Sequence, residues 1–258
     1  MSIYLKQFST HQEYDAYING SGAILPNVSI CTTEGDVHYN PYVDPCASEK
    51  VKTTYEWVEI GGVKWATKNV GALTVTDYGQ YFSWGGVNGF TADQVSGSCH
   101  SKVFYWTDYE LGNGTSSPGA TGMSKYNSTD GKTVLEVSDD AATANMGSGW
   151  RMPTTAEFQA LGNAVTTAWT ADYQGSGISG LVCTDKTDSS KVLFFPACGY
   201  CYNSSVVKNV GKYGGYWSSS LHSSNVQDAY RLNFSSSYAN WQDNNFRYVG
   251  YSVRGVVG

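Results

Sequence analysis

Cys198-Gly-Tyr-Cys201 is the one short motif in this chain whose spacing belongs to a known chemistry, thiol–disulfide exchange. Such a pair needs its first cysteine at the N-terminus of a helix that follows a strand, where the helix dipole lowers the thiol pKa. The Tyr-Asn-Ser-Ser that follows carries no helical pattern, so both thiols are expected to be buried or incidental. The remaining cysteines, Cys31, Cys46, Cys99 and Cys183, are irregularly spaced and offer no second Cys/His pair at zinc-ligand spacing. His11, His38, His100 and His222 stand outside any G-x-S-x-G or H-E-x-x-H pattern and read as surface or hydrogen-bonded core residues. With no nucleophile beside a base, no carboxylate pair and no metal set, the expectation is a protein with no catalysis, cofactor or metal of its own.

Recognition is the chemistry the composition supports. Between Tyr216 and Val257 a sparse apolar frame (Trp217, Ala229, Leu232, Phe234, Gly250, Val253 and Val256) alternates around Leu232 and Phe234 as a half-buried strand requires. The gaps in that frame hold tyrosines, asparagines and serines. Tyr brings rigid amphipathic contact area, while Ser, Asn and Gly bring adaptable hydrogen bonding, the mixture found where one protein surface must fit another molecule. The same mixture also occurs in ordinary solvated loops.

The elements that would have to hold this stretch are mostly short strands. Only 15% of the 258 residues are charged, and 29 Gly with 20 Tyr and 8 Trp suit an α+β domain rich in ordered loops better than a helical enzyme. A net charge of −6 with no Lys/Arg-rich run excludes a nucleic-acid partner. No stretch reaches the roughly 18 apolar residues of a membrane helix, and no secretion signal or lipid-anchor cysteine is recognised at Met1 onward, so no membrane insertion is expected. Residues 1–45, with the turn Asn19-Gly20 and short apolar runs, read as a small docking or oligomerisation module, and 46–54 as a linker. From Tyr55 a hairpin is expected around Gly61-Gly62, then a strand over Tyr78–Trp84, then a packed loop region over 87–132 with Phe104, Tyr105, Trp106, Tyr109 and Tyr126. One helix should start from Ser138 as N-cap and stop at Gly147; a second should start at Thr154 with Glu157 completing a capping box and Phe158 and Leu161 buried. Leu181–Thr184, Val192–Pro196, Tyr216-Trp217, Tyr230–Phe234 and Tyr251–Val256 should be strands of one domain spanning 55–258.

Several of these landmarks occur in a recognisable order: Trp57-Val-Glu-Ile-Gly-Gly-Val-Lys-Trp65-Ala-Thr-Lys-Asn69, Gly149-Trp-Arg-Met-Pro-Thr154, Phe194-Phe-Pro-Ala-Cys-Gly199, Tyr216-Trp-Ser-Ser219, Ala229-Tyr-Arg-Leu-Asn-Phe234 and Arg247-Tyr-Val-Gly-Tyr-Ser-Val-Arg254. The chain over residues 55–258 resembles the C-type-lectin-fold variable proteins of diversity-generating retroelements from gut Bacteroidetes and their phages. The stretches Ile24–Ser29 and Val37–Pro41 look like a short leader module seen on such phage-associated proteins. The resemblance implies a non-enzymatic display protein of the phage virion, cytoplasmic before assembly, that binds a protein or glycan receptor on a bacterial cell surface. Phage tropism determinants of this kind are homotrimers.

In that family a reverse transcriptase rewrites adenines near the 3′ end of the gene, here the codons of a variable region over about 200–258. Changing the first two positions of an AAC-type codon yields Tyr, Asn, Asp, His, Arg, Phe, Val, Ser or Leu, but not Trp or Gln. Trp241 and Gln242 are therefore framework, and so on the family pattern are Arg247 and Arg254, whose several donors can bridge loop carbonyls. The implied contact set is Tyr216, Arg231, Asn233, Tyr238, Asn240, Asp243, Asn244, Asn245, Phe246, Tyr248 and Val249, with His222, Val226 and Asp228 as a second tier.

Two neighbouring families share the fold. Calcium-dependent lectins use Glu-Pro-Asn or Gln-Pro-Asp with Trp-Asn-Asp; Trp241-Gln-Asp243 is only a partial echo, so calcium-dependent sugar binding is not expected. Formylglycine-generating enzymes rely on a redox cysteine pair, and Cys198 and Cys201, just after Phe-Phe-Pro, lie in the wrong context. That enzyme class and a bacterial surface adhesin of the same fold are the alternatives.

Overall fold

A computed structural model of the chain describes residues 54–96, 103–204 and 206–258; the expected N-terminal module, nearly all of the linker, and His11, His38, His100, Cys31, Cys46 and Cys99 lie outside them. The described part is a mixed α+β structure with few helices and three small antiparallel sheets.

The hairpin around Gly61-Gly62 forms as expected. Strands β1 (Trp57–Ile60) and β2 (Val63–Ala66) pair in the register Ile60↔Val63, and both glycines take positive φ, 63° and 78°, which a two-residue turn of this twist requires. Strand β2 then pairs with β10 (Val256–Val257), which pairs with β3 (Trp150–Arg151). The last strand thus closes against the first hairpin.

Tyr78–Trp84 does not form the expected strand. Only the isolated bridges Tyr81↔Phe90 and Phe82↔Tyr251 appear there, because Gly79 (φ 71°) and Gly85 (φ 82°) turn the backbone at both ends. In the loop region that follows, the described residues include the short helix α1 (Ala92–Ser96) and two 3-10 turns (Trp106–Asp108 and Ala120–Gly122), and the expected aromatics Phe104, Trp106, Tyr109 and Tyr126 are buried.

Helix α2 (Ala141–Met146) stops at Gly147 as expected, but its N-cap is Asp140 and not Ser138. Asp139 belongs to a 3-10 turn, where its carboxylate is taken by Lys125 and Tyr126. Asp140 accepts from the backbone N of Thr143 (2.9 Å) with one oxygen and of Met152 (2.8 Å) with the other. Helix α3 (Thr155–Ala164) has the expected capping box of Thr154 and Glu157 and buries Phe158 and Leu161. Arg151 holds the same Glu157 through two hydrogen bonds of 2.8 and 2.6 Å.

Two three-stranded meanders follow. The first joins β4 (Val165–Thr170), which sequence reading missed, to β5 (Gly180–Asp185) and β6 (Val192–Pro196). The second joins β7 (Tyr213–Leu221), β8 (Asp228–Ser235) and β9 (Ala239–Phe246). The two faces of the second sheet feed two separate cores. Tyr216, Leu232 and Phe234 pack with Trp65, Phe158 and Phe195, whereas Trp217, Ala229 and Tyr251 pack with Trp84, Trp106 and Tyr126. Residues adjacent on a strand point to opposite faces, so Tyr216 and Trp217 enter different cores. No helix among the described residues is long and apolar enough to cross a membrane.

Candidate recognition surface

Where the second core ends, the outer face of the β7–β8–β9 sheet opens into a cleft of about 440 Å³. Its floor is Gly214-Gly215 of β7. A Cβ on Gly215 would lie 2.2 Å from the Tyr251 ring, and one on Gly214 would lie 2.0 Å from the Phe234 ring on the other side, so only glycine lets both aromatics lie against this backbone. Strand β8 contributes Arg231 and Asn233, β9 contributes Asn245 and Phe246, and the β8–β9 turn contributes Tyr238. The opposite wall is Tyr200, Tyr202 and Asn209, with Tyr213 at the start of β7.

Five of the expected contact residues therefore converge: Arg231, Asn233, Tyr238, Asn245 and Phe246. Asp243 joins them from beside the cleft. It faces Arg231 across the β8–β9 ladder and accepts a 2.7 Å hydrogen bond from Arg231 Nη2. Asn240 is exposed opposite Asn233, and Asn244 is exposed opposite Tyr230, away from the cleft lining.

Three of the expected contacts are corrected by their burial. Tyr216 is fully buried because the register Tyr216↔Leu232 puts it on the inner face; its hydroxyl donates to Pro196 O (2.7 Å) and accepts from Asn69 Nδ2 (3.2 Å). Tyr248 is 1% exposed, its ring 4.6 Å from that of Trp106 and 5.7 Å from that of Tyr202. Val249 is 0% exposed in the second core. The second-tier residues are half-buried and fall outside the cleft: the His222 ring lies 4.9 Å from that of Tyr230, the Val226 carbonyl accepts from Arg247 Nη1 (2.9 Å), and Asp228 accepts from Asn225 Nδ2 (2.9 Å). Burial raises the Asp228 carboxyl pKa.

The Tyr200, Tyr202, Asn209 and Tyr213 wall is not among the contacts expected from the sequence; the signal present there is the alternation of Tyr200 and Tyr202 about Cys201.

The framework residues hold this surface from below. Trp217, Leu232, Phe234, Arg247 and Val253 are fully buried. Trp241 packs over Gly162 of α3, where a Cβ would lie 2.6 Å from the indole, and Gln242 accepts from Gln159 of the same helix at 2.6 Å. Cys198 is buried with Sγ 3.0 Å from Tyr216 Oη, and Cys201 Sγ donates to Ser204 O at 2.9 Å. Burial pushes both thiols up, that of Cys201 to about 12, the reverse of what a redox thiolate needs. Burial likewise pushes the Tyr251 phenol up to about 12, so it stays protonated.

A family model described as a domain of unknown function (DUF8237) matches residues 183–256, the stretch that contains the cleft's strands. No curated protein and no solved structure matches the chain.

Proposed function

We propose that this chain is a recognition protein of C-type lectin fold whose contact surface is the outer face of β7–β8–β9, and that it displays this surface on a phage or prophage particle as a retroelement-diversified receptor-binding protein. The observation that carries the reading is the partition of the last strands. Trp217, Leu232 and Arg247 are sealed in the interior, while Arg231, Asn233, Tyr238 and Asn245 converge on one open cleft from a sheet backed by two cores. Rigid strands carrying interchangeable side chains suit a surface whose specificity is set by substitution. Aromatic and Arg side chains at its centre would supply most of the binding energy.

Two measurements test this. Fluorescently labelled protein should adhere to cells of a bacterial host, and the double variant Tyr238→Ala/Phe246→Ala should lose that attachment while staying folded by near-ultraviolet circular dichroism, since Tyr238 (42%) and Phe246 (36%) lie at the surface and Phe246 gives up only its ring contacts with Trp106 and Tyr248. Tyr248→Ala is excluded from this set, because deleting a buried aromatic costs about 3–5 kcal/mol and would unfold the surface instead of blunting it. Attachment retained by the double variant would overturn the placement of the surface. The gene locus provides the second measurement: a near-identical copy of its 3′ end beside a reverse-transcriptase gene, differing only at adenines, supports diversification, and scattered differences refute it.

A further inference from the structure

The hydrogen-bond polarity of the cleft narrows what it takes, on the premise of the recognition surface proposed above. Three asparagine amides each donate Nδ2 to a tyrosine hydroxyl on the lining: Asn209 to Tyr200 (3.2 Å), Asn233 to Tyr238 (3.1 Å) and Asn245 to Tyr251 (2.7 Å). A phenol oxygen that accepts still has its own proton to give. All three tyrosines line the open cleft, so their protons are available to a ligand oxygen in place of solvent water. The lining contains no carboxylate, and the charge of its one cation is met by Asp243 at 2.7 Å.

We infer that the cleft binds a short neutral saccharide, its ring and hydroxyl oxygens accepting from Tyr200, Tyr238, Tyr251 and Arg231 while its C–H faces lie on the tyrosine rings. A carboxylated sugar is disfavoured, because Asp243 already occupies the guanidinium and would repel a second carboxylate. A protein contact fits less well: such interfaces bury about 800 Å² per partner around an apolar centre. This hollow of about 440 Å³ presents hydroxyl donors instead and lies within the usual size of a small-ligand site.

The experiment is calorimetric titration of the full chain with neutral gluco-, galacto-, manno- and N-acetylhexosamine oligosaccharides, and in parallel with polygalacturonate. At least one neutral oligosaccharide should bind with an affinity unchanged between low and high NaCl. Tyr238→Phe, which removes only a hydroxyl, and Asn245→Ala, which frees Tyr251, should each weaken it about tenfold, the worth of one hydrogen bond. Near-ultraviolet circular dichroism checks that both variants stay folded. Binding confined to polygalacturonate and weakened by salt overturns the neutral-saccharide assignment. So does the absence of any saccharide binding by protein that still attaches to cells through the Tyr238/Phe246 face, an outcome that leaves the recognition surface itself standing. Attachment that survives the Tyr238→Ala/Phe246→Ala variant removes the surface and the saccharide together.

Discussion

Arg254 shows how much of this molecule depends on single polar side chains in the interior. It is fully buried, its Nε and Nη2 donate to Asn69 Oδ1 (3.0 and 2.7 Å), Nη1 to Ala66 O (3.0 Å) and Nη2 to Phe194 O (2.9 Å), and the guanidinium lies 4.7 Å from the Phe195 ring centroid. Among the described residues no carboxylate pairs with it, so its charge is met by carbonyl dipoles and a ring face. Arg247 does the same in the second core, donating to Tyr109 Oη and to the carbonyls of Lys125 and Val226. A Lys in place of Arg254 could not span these acceptors, because an ammonium is a compact point charge and not a planar fork. Arg254→Lys should lower stability by about 3 kcal/mol or more, read as a shift of the urea midpoint; a loss under about 1 kcal/mol would mean the fork is dispensable. The family pattern, with the guanidinium's several donors, marks both arginines as structural, and the geometry specifies which loops each one ties.

At the scale of elements, helix α3 is the support that β9 leans on, through Trp241 over Gly162 and through the Gln159–Gln242 hydrogen bond. Its start is held by Glu157, which caps Thr154 and pairs with Arg151. Burial tends to raise the Glu157 pKa, but the Arg151 hydrogen bond and the Thr154 backbone N–H outweigh it and leave the carboxyl below its usual value. A depressed folded-state pKa contributes stability that is present above the unfolded value, about 4.3, and is lost as pH falls through the folded value. Glu157→Gln should therefore cost about 1 kcal/mol at pH 7, while the difference from the parent protein shrinks as pH is lowered towards 3. Urea titrations at both pH values check this, and a gap that widens in acid would contradict it. Strand β9 is also an edge strand, and two of its N–H groups are taken by neighbouring side chains, Gln242 N by Asn240 Oδ1 and Phe246 N by Asn245 Oδ1. Such local bonds discourage pairing with another chain at an open edge.

For the whole described molecule, the organising feature is a sheet with a core on each side. Strand β7 is buried on both faces from Gly214 onward, whereas β8 alternates buried residues with half-buried Arg231 and Asn233, which open onto the cleft beside Gly215. Amide hydrogen exchange should accordingly be slower in β7 and β8 than at Val206 and Val210 of the loop over residues 206–212, which are exposed. Rapid exchange of β7 would contradict the two-core arrangement. Because the cleft sits at the margin of this sheet, changes in its side chains need not disturb the interior.

The sequence by itself determined the local devices: the Gly61-Gly62 turn, the Thr154/Glu157 capping box, and the alternation at Leu232 and Phe234. Each is set by a few neighbouring residues, through backbone conformation or side-chain parity. Only the tertiary structure decided which tyrosines face outward. Tyr216 and Tyr248 are sealed inside while Tyr213 and Tyr238 are exposed, although all four sit in similar polar surroundings in the chain. A phenol is stable in either place if its hydroxyl finds a partner. Since β7 is packed on both faces while β8 and β9 are open on one, alternation could not tell a core face from a contact face; the limits of the second core made that distinction.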